Sequence, residues 1–270
     1  MNTIQSQSGF LEINGTDLYY EIKGTGYPLL MIHGNPLDCR MWEPQFNEFS
    51  KHFQVIRFDL AGFGQSGVHH HDFSLIEDIK RLLDSLEIKQ TNILGFSVGG
   101  MLSMDFSILY PEMVNKLIVA STGLLGWSEF SLERQKFNEE LNLASNTRDQ
   151  NLVIQLMTEG WVAGPFRELD EVEQGVPSIF VEMVRNNFSK EKGKGSMILP
   201  TTKTIDLVSE IKAPTLIITP EMDFPEFIAI ANYLNKKIID STIVHIPGTA
   251  HMINMEKPVD FNQRVIEFLS

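Results

Sequence analysis

Short apolar runs, each closed by glycine or a polar turn, recur along the first half of the chain and again near its end. Residues 28–33 (Pro-Leu-Leu-Met-Ile-His) are almost continuously hydrophobic, the pattern of a strand covered on both faces. Residues 53–58, 91–96, 114–120, 214–219 and 241–246 are further predicted strands. Residues 10–13 and 18–22 flank Asn14-Gly15, a hairpin signal. Helical periodicity lies between them. Over residues 73–86 the apolar positions Ile76, Ile79, Leu82, Leu83 and Leu86 keep one face. Shorter helices are predicted at 41–49 and 227–234, another follows Gly100, and an amphipathic one closes the chain at 259–269. Strands alternating with helices in this way predict an α/β protein with a mostly parallel sheet covered on both faces.

The alternation stops near Ser121. From residue 122 to about 204 the pattern is helical, broken at Gly160, Gly164-Pro165, Gly175 and Pro177, with a charged, glycine-containing link at 190–195. The expected organisation is a sheet domain formed by residues 1–121 and 205–270, with residues 122–204 inserted as a helical cap. Trp127 and Trp161 fall in this insertion and are candidates for substrate-pocket walls, since pockets are lined mainly by apolar and aromatic side chains.

Composition narrows the partners more than the chemistry. The chain has 270 residues and 43% hydrophobic content, enough for a large core. A net charge of −13 argues against nucleic acid and anionic membranes, which reward clustered Lys and Arg. Cys39 is the only cysteine, so no internal disulfide forms, which fits a reducing compartment. Residues 1–9 are polar and lack a basic segment followed by an apolar run, and no stretch reaches membrane-spanning length. The expectation is a cytoplasmic protein, monomer or homodimer, with a small-molecule partner. The adjacent His69-His70-His71 lack the spacing that converges ligands on one metal and are expected in a solvated loop.

The chemistry is concentrated at Gly95-Phe96-Ser97-Val98-Gly99-Gly100, between a predicted strand and a predicted helix. A serine in that turn is lifted out of the sheet edge, and the helix start beneath it favours developing negative charge. A serine hydroxyl needs a base, an acid to orient the base, and donors for the oxyanion. His251 follows the last predicted strand and is the candidate base. His245 is expected to pack within the sheet, His33 to brace a loop, and His52 to lie on the surface. Asp223 follows the preceding strand and is the favoured acid, with Glu221 in the same loop and Asp240 as rivals. For the oxyanion hole, one backbone N–H comes from Val98. The other comes from Asn35 in Gly34-Asn35-Pro36, because Pro36 has none to give.

With His33-Gly34-Asn35-Pro36, the segment Asp59 to Ser66 (Asp-Leu-Ala-Gly-Phe-Gly-Gln-Ser), the Ser97 turn, Asp223 and Pro247-Gly248-Thr249-Ala250-His251 in this order, the chain resembles the α/β-hydrolase fold superfamily, serine-nucleophile branch, over residues 10–269. The resemblance implies an eight-stranded, mostly parallel sheet with a helical cap between the sixth and seventh strands. His-Gly-Asn-Pro is similar to the haloalkane dehalogenase loop. Dehalogenases and epoxide hydrolases use an aspartate nucleophile, however, and Ser97 stands there instead. The remainder is similar to carboxylesterases, enol-lactonases and carbon–carbon bond hydrolases.

The reading that follows is a serine hydrolase of a small to medium carboxylic ester or lactone, with no cofactor and no metal. Its catalytic residues are Ser97, Asp223 and His251, and its oxyanion donors are Asn35 and Val98. The alternatives are a carbon–carbon hydrolase with a carboxylate-binding arginine (Arg134, Arg148, Arg167 or Arg185), a serine perhydrolase, or a small-molecule receptor of the same fold.

Overall fold

The hydrophobic runs pair into one eight-stranded sheet, in the order β1-β2-β4-β3-β5-β6-β7-β8. The structure is a computed structural model that describes residues 6–173 and 175–270. β1 (Ser6–Ile13) and β2 (Thr16–Lys23) form the antiparallel hairpin. Asn14 and Gly15 both take positive φ in its turn, 51° and 78°, as a tight two-residue hairpin connection requires. β2 pairs antiparallel with β4 (Gln54–Phe58). All other pairings are parallel: β3 (Pro28–Ile32), β5 (Thr91–Phe96), β6 (Val114–Ala120), β7 (Thr215–Pro220) and β8 (Ser241–Ile246).

The period-2 alternation of each central strand divides the core in two. Leu30, Ile32, Ile56, Ile93, Leu117, Val119 and Ile217 belong to one hydrophobic cluster. Their neighbours Leu29, Met31, Val55, Leu94, Phe96, Ile118 and Leu216 belong to the other. Continuous apolar runs were needed because both faces are covered. The first face is covered by α2 (Leu75–Ser85) and α3 (Val98–Leu109), the second by α1 (Glu43–Phe49).

The connection from β6 to β7 carries α4 (Leu132–Thr147), α5 (Gln150–Thr158), α6 (Gly175–Phe188) and the short α7 (Thr204–Leu207). Among the described residues, side chains cap α4, through Ser131, and α5, through Asp149. α5 widens into a π turn at Glu159–Ala163. α8 (Pro225–Lys237) follows β7 and packs on the first face. α9 (Ile253–Glu256) and α10 (Pro258–Leu269) complete the second face. No helix among the described residues is long and apolar enough to cross a membrane.

Two expectations about histidines are corrected. His245 is exposed rather than packed in the sheet; it lies near the C-terminal end of β8, an edge strand. His69 is buried rather than solvated. Its Nε2 lies 2.8 Å from Asp78 Oδ2 and its ring stacks on Phe73 at 4.3 Å, while His70 and His71 remain exposed.

Candidate active site

Ser97 occupies the turn between β5 and α3 with φ 53° and ψ −115°, a conformation costing a non-glycine residue about 1–3 kcal/mol. The packing around it enforces the turn. A Cβ on Gly99 would overlap the carbonyl oxygens of Ile32 and His33, so only glycine lets α3 start this close to the end of β3. Ser97 stands at the N-cap position of α3, yet its side chain makes no capping bond. Its Oγ lies 3.0 Å from His251 Nε2 instead.

His251 Nδ1 lies 2.6 Å from Asp223 Oδ2, and Asp223 is fully buried. The other carboxylate oxygen, Oδ1, accepts the Phe224 N–H at 2.8 Å. A carboxylate can only accept here, so Nδ1 carries a proton and Nε2 is left to accept from Ser97. The two loops bearing acid and base are tied together. Met222 N–H donates to Thr249 O at 2.8 Å, and Gly248 N–H donates to Glu221 Oε2 at 2.8 Å. Glu221 therefore serves the loop, and Asp223 is the carboxylate on the imidazole. Ser121, where the sheet pattern breaks off, donates its hydroxyl to His251 O at 2.9 Å.

The loop after β3 is pressed against the serine. A Cβ on Gly34 would stand 2.8 Å from Phe96 Cδ1 and 3.1 Å from Ser97 Cβ. Asn35 is exposed and Val98 half-buried, and among the described residues neither backbone N–H donates to a protein acceptor. His33 braces this loop as expected. Its Nε2 accepts the Leu60 N–H at 2.9 Å, so Nδ1 carries the proton and donates to Gly34 O at 2.9 Å. Burial pushes the His33 pKa below its ordinary value and favours this neutral form, with the Asp59 charge opposing.

Three aromatic rings surround the imidazole: Trp161 at 4.5 Å between centroids, Phe227 at 4.6 Å and Phe96 at 5.1 Å. Trp161 thus reaches the site from the helical segment. Trp127 does not meet the imidazole; its ring packs edge-on against Tyr233 of α8, and its Nε1 donates to Glu129 O. Phe227 was missed although it follows Asp223 closely, because an apolar residue at a helix start is usually core.

The four arginines separate clearly. The Arg167 guanidinium is committed to Val162 O, Ala163 O, Gly248 O and Glu256, which anchors the helical segment to the His251 loop. Arg185 contacts Asn151. Arg148 lines a cavity of about 710 Å³ whose walls include none of Ser97, Asp223 and His251. Arg134 lies over the Trp161 ring at 4.3 Å and 3.8 Å from Glu226. Burial lowers its pKa, while the Glu226 and Asp223 charges oppose that shift.

A strained serine on a strand–helix turn, backed by a His–Asp pair at the ends of neighbouring parallel strands, defines a hydrolase of the α/β class. The model of the alpha/beta hydrolase fold family matches residues 27–258, and the chain belongs to this family. It is 27% identical over 267 residues to a protein of Azorhizobium caulinodans named "Putative carbamate hydrolase RutD", covering 93% of this chain and 94% of that one. It is 24% identical over 266 residues to (E)-2-((N-methylformamido)methylene)succinate hydrolase of Acinetobacter baylyi, covering 96% of each. A bromoperoxidase from Bacillus anthracis superposes with a TM-score of 0.79 at 24% identity, covering 97% of this chain and 99% of that one. An enol-lactonase from Burkholderia xenovorans superposes with 0.77 at 20%, covering 97% and 99%. The two solved structures share the fold.

Proposed function

We propose that the protein is a serine hydrolase of small to medium carboxylic esters or lactones, working through an acyl-enzyme on Ser97. The observation that carries this reading is the continuous hydrogen-bonded line from Ser97 Oγ to His251 Nε2 and from Nδ1 to Asp223. In the first step Ser97 Oγ attacks the substrate carbonyl and its proton passes to His251 Nε2. Asp223 holds the imidazole tautomer and stabilises the imidazolium. The oxyanion is received by the Asn35 and Val98 N–H groups, the second aided by the positive end of α3. His251 returns the proton to the departing alkoxide. Water then gives a proton to His251 and attacks the acyl carbon; the bond to Ser97 Oγ breaks as His251 returns the proton to Oγ, releasing the acid and restoring Ser97. Residues 122–204 act as a cap whose Trp161 forms a wall beside the imidazole. The family's carbamate hydrolase and succinate-derivative hydrolase relatives support hydrolysis as the reaction class.

A second reading, hydrolysis of a carbon–carbon bond in a substrate bearing a carboxylate, rests on Arg134. This cation is largely buried near the site, and its Nη1 has no hydrogen-bond partner among the described residues. The test is a panel of neutral aryl esters against carboxylate-bearing esters and vinylogous diketones. Turnover of neutral esters that is indifferent to Arg134→Met supports the ester reading. Turnover confined to carboxylate-bearing substrates, with KM raised by Arg134→Met, overturns it in favour of the second.

A further inference from the structure

The C-terminal end of α6 reaches back across the molecule and holds the loops that follow β3 and β4, the first of which presses on the serine. Asn187 Nδ2 donates to Pro36 O at 2.8 Å and to Leu37 O at 3.1 Å, and Asn187 Oδ1 accepts the Gly64 N–H at 2.8 Å. Two carbonyls and one N–H fix which way the amide points. Three residues on, Lys190 Nζ donates to Gly64 O at 2.6 Å and Ser66 O at 2.7 Å, and burial lowers its pKa. The two loops are also pinned from below: Asp59 accepts from Cys39 N through Oδ1 and from Gln65 N through Oδ2, both at 2.7 Å. Gly34 O is held by Leu37 N and His33 Nδ1. Asn35 is thus suspended between one side fixed by the sheet domain, at Gly34, and another fixed by the helical segment, at Pro36 and Leu37.

We infer that Asn187 is a positioning residue for the Asn35 N–H, so that the helical segment sets the oxyanion hole as well as the pocket. This rests on the proposal that Ser97 is the nucleophile and Asn35 an oxyanion donor. Removing a whole oxyanion donor slows such enzymes by roughly 10²–10³. Misaiming one without removing it is expected to lower kcat about 10- to 100-fold. Asn187→Asp keeps the shape, loses both donors and sets a carboxylate against two carbonyl oxygens. Asn187→Ala removes the clamp without repulsion and serves if the first variant folds poorly.

The experiment measures kcat and KM on an aryl acetate together with inhibition by an aryl trifluoromethyl ketone. That inhibitor adds Ser97 Oγ to its carbonyl carbon, with the serine proton passing to His251 and the new oxyanion facing the donors. The expected result is a loss in kcat, a KM changed less than threefold, and a ketone affinity weakened in parallel with kcat/KM. A kcat within twofold of wild type, a change confined to KM, or a loss of kcat with unchanged ketone affinity would overturn the inference. Ser97→Ala run alongside separates the two levels. If it is inactive while Asn187→Asp turns over normally, only the role of Asn187 falls. If Ser97→Ala turns over normally, the underlying reading falls with it.

Discussion

Asp223→Asn probes the orientation of His251, the proposed base, and the structure dictates how the amide must sit. Oδ1 of Asp223 accepts the Phe224 N–H at 2.8 Å, and Oδ2 faces His251 Nδ1 at 2.6 Å. An asparagine there cannot turn its NH₂ toward Phe224, because two donors would oppose each other in a fully buried position. Its oxygen must take the place of Oδ1, so its NH₂ points at Nδ1. Nδ1 then has to accept, and the imidazole proton moves to Nε2. Nε2 would donate to Ser97 Oγ instead of taking its proton. Loss of the correct tautomer in this way is worth about 10⁴ in kcat for a serine triad, or about 5.5 kcal/mol of barrier at 1.36 kcal/mol per tenfold. The assay is the initial rate of p-nitrophenyl acetate hydrolysis, paired with the rate of fluorophosphonate labelling, which needs the same activated hydroxyl. Glu221→Gln is the control. Its amide oxygen still accepts from Gly248 N–H, so its rate should stay within a few-fold of wild type. An Asp223→Asn enzyme within tenfold of wild type, or a Glu221→Gln enzyme more damaged than it, would refute the assignment of the acid.

Other expectations follow from the same geometry. Gly99→Ala forces a methyl group onto the carbonyls of Ile32 and His33; overpacking of about 1–3 kcal/mol should lower Tm by roughly 2–4 °C per kcal/mol in a thermal melt, and an unchanged Tm would mean the strand–helix contact is slack. In an acyl-length series of aryl esters, kcat/KM should peak between acetate and hexanoate; Trp161→Ala should move the optimum to longer chains, and an unmoved optimum would remove Trp161 from the pocket wall. Burial depresses the His33 pKa below its ordinary 6.5. The folded state therefore resists a proton that the unfolded chain takes up, and the stability this gives is present above pH 6.5 and lost as pH falls from there toward the depressed value. The decline of Tm between pH 6.5 and 5 should accordingly be shallower in His33→Gln, and parallel curves would contradict the neutral, accepting Nε2.

The strands and the serine turn were legible because their causes are local. A run such as Leu29 to Ile32 must be covered on both faces, and Ser97 among glycines between strand and helix leaves one turn geometry. His251 and Asp223 were readable as residues after the last two strands, since a parallel sheet delivers those ends to one edge. The choice between Asp223 and Glu221 was harder, and the Gly248 N–H that engages Glu221 had no signature in the chain. The helical segment hid most. Trp127 and Trp161 look equivalent in sequence, yet one packs on Tyr233 and the other on the His251 imidazole. A helical period marks an apolar face without naming what it will meet. Asn187 is a polar residue near a helix end, and its partners at Pro36 and Leu37 lie about 150 residues away. His69 is buried against Asp78 and Phe73, which a run of three histidines does not announce, while the two histidines beside it stay in solvent.

The role proposed for Ser97 is that of a nucleophile activated by His251. Its most direct test is intact-protein mass spectrometry after reaction with a fluorophosphonate, followed by peptide mapping. One adduct per chain is expected, on the peptide containing Ser97, absent from Ser97→Ala and formed several orders of magnitude more slowly in His251→Ala. An adduct that persists in Ser97→Ala, or that maps to any other residue, would contradict it.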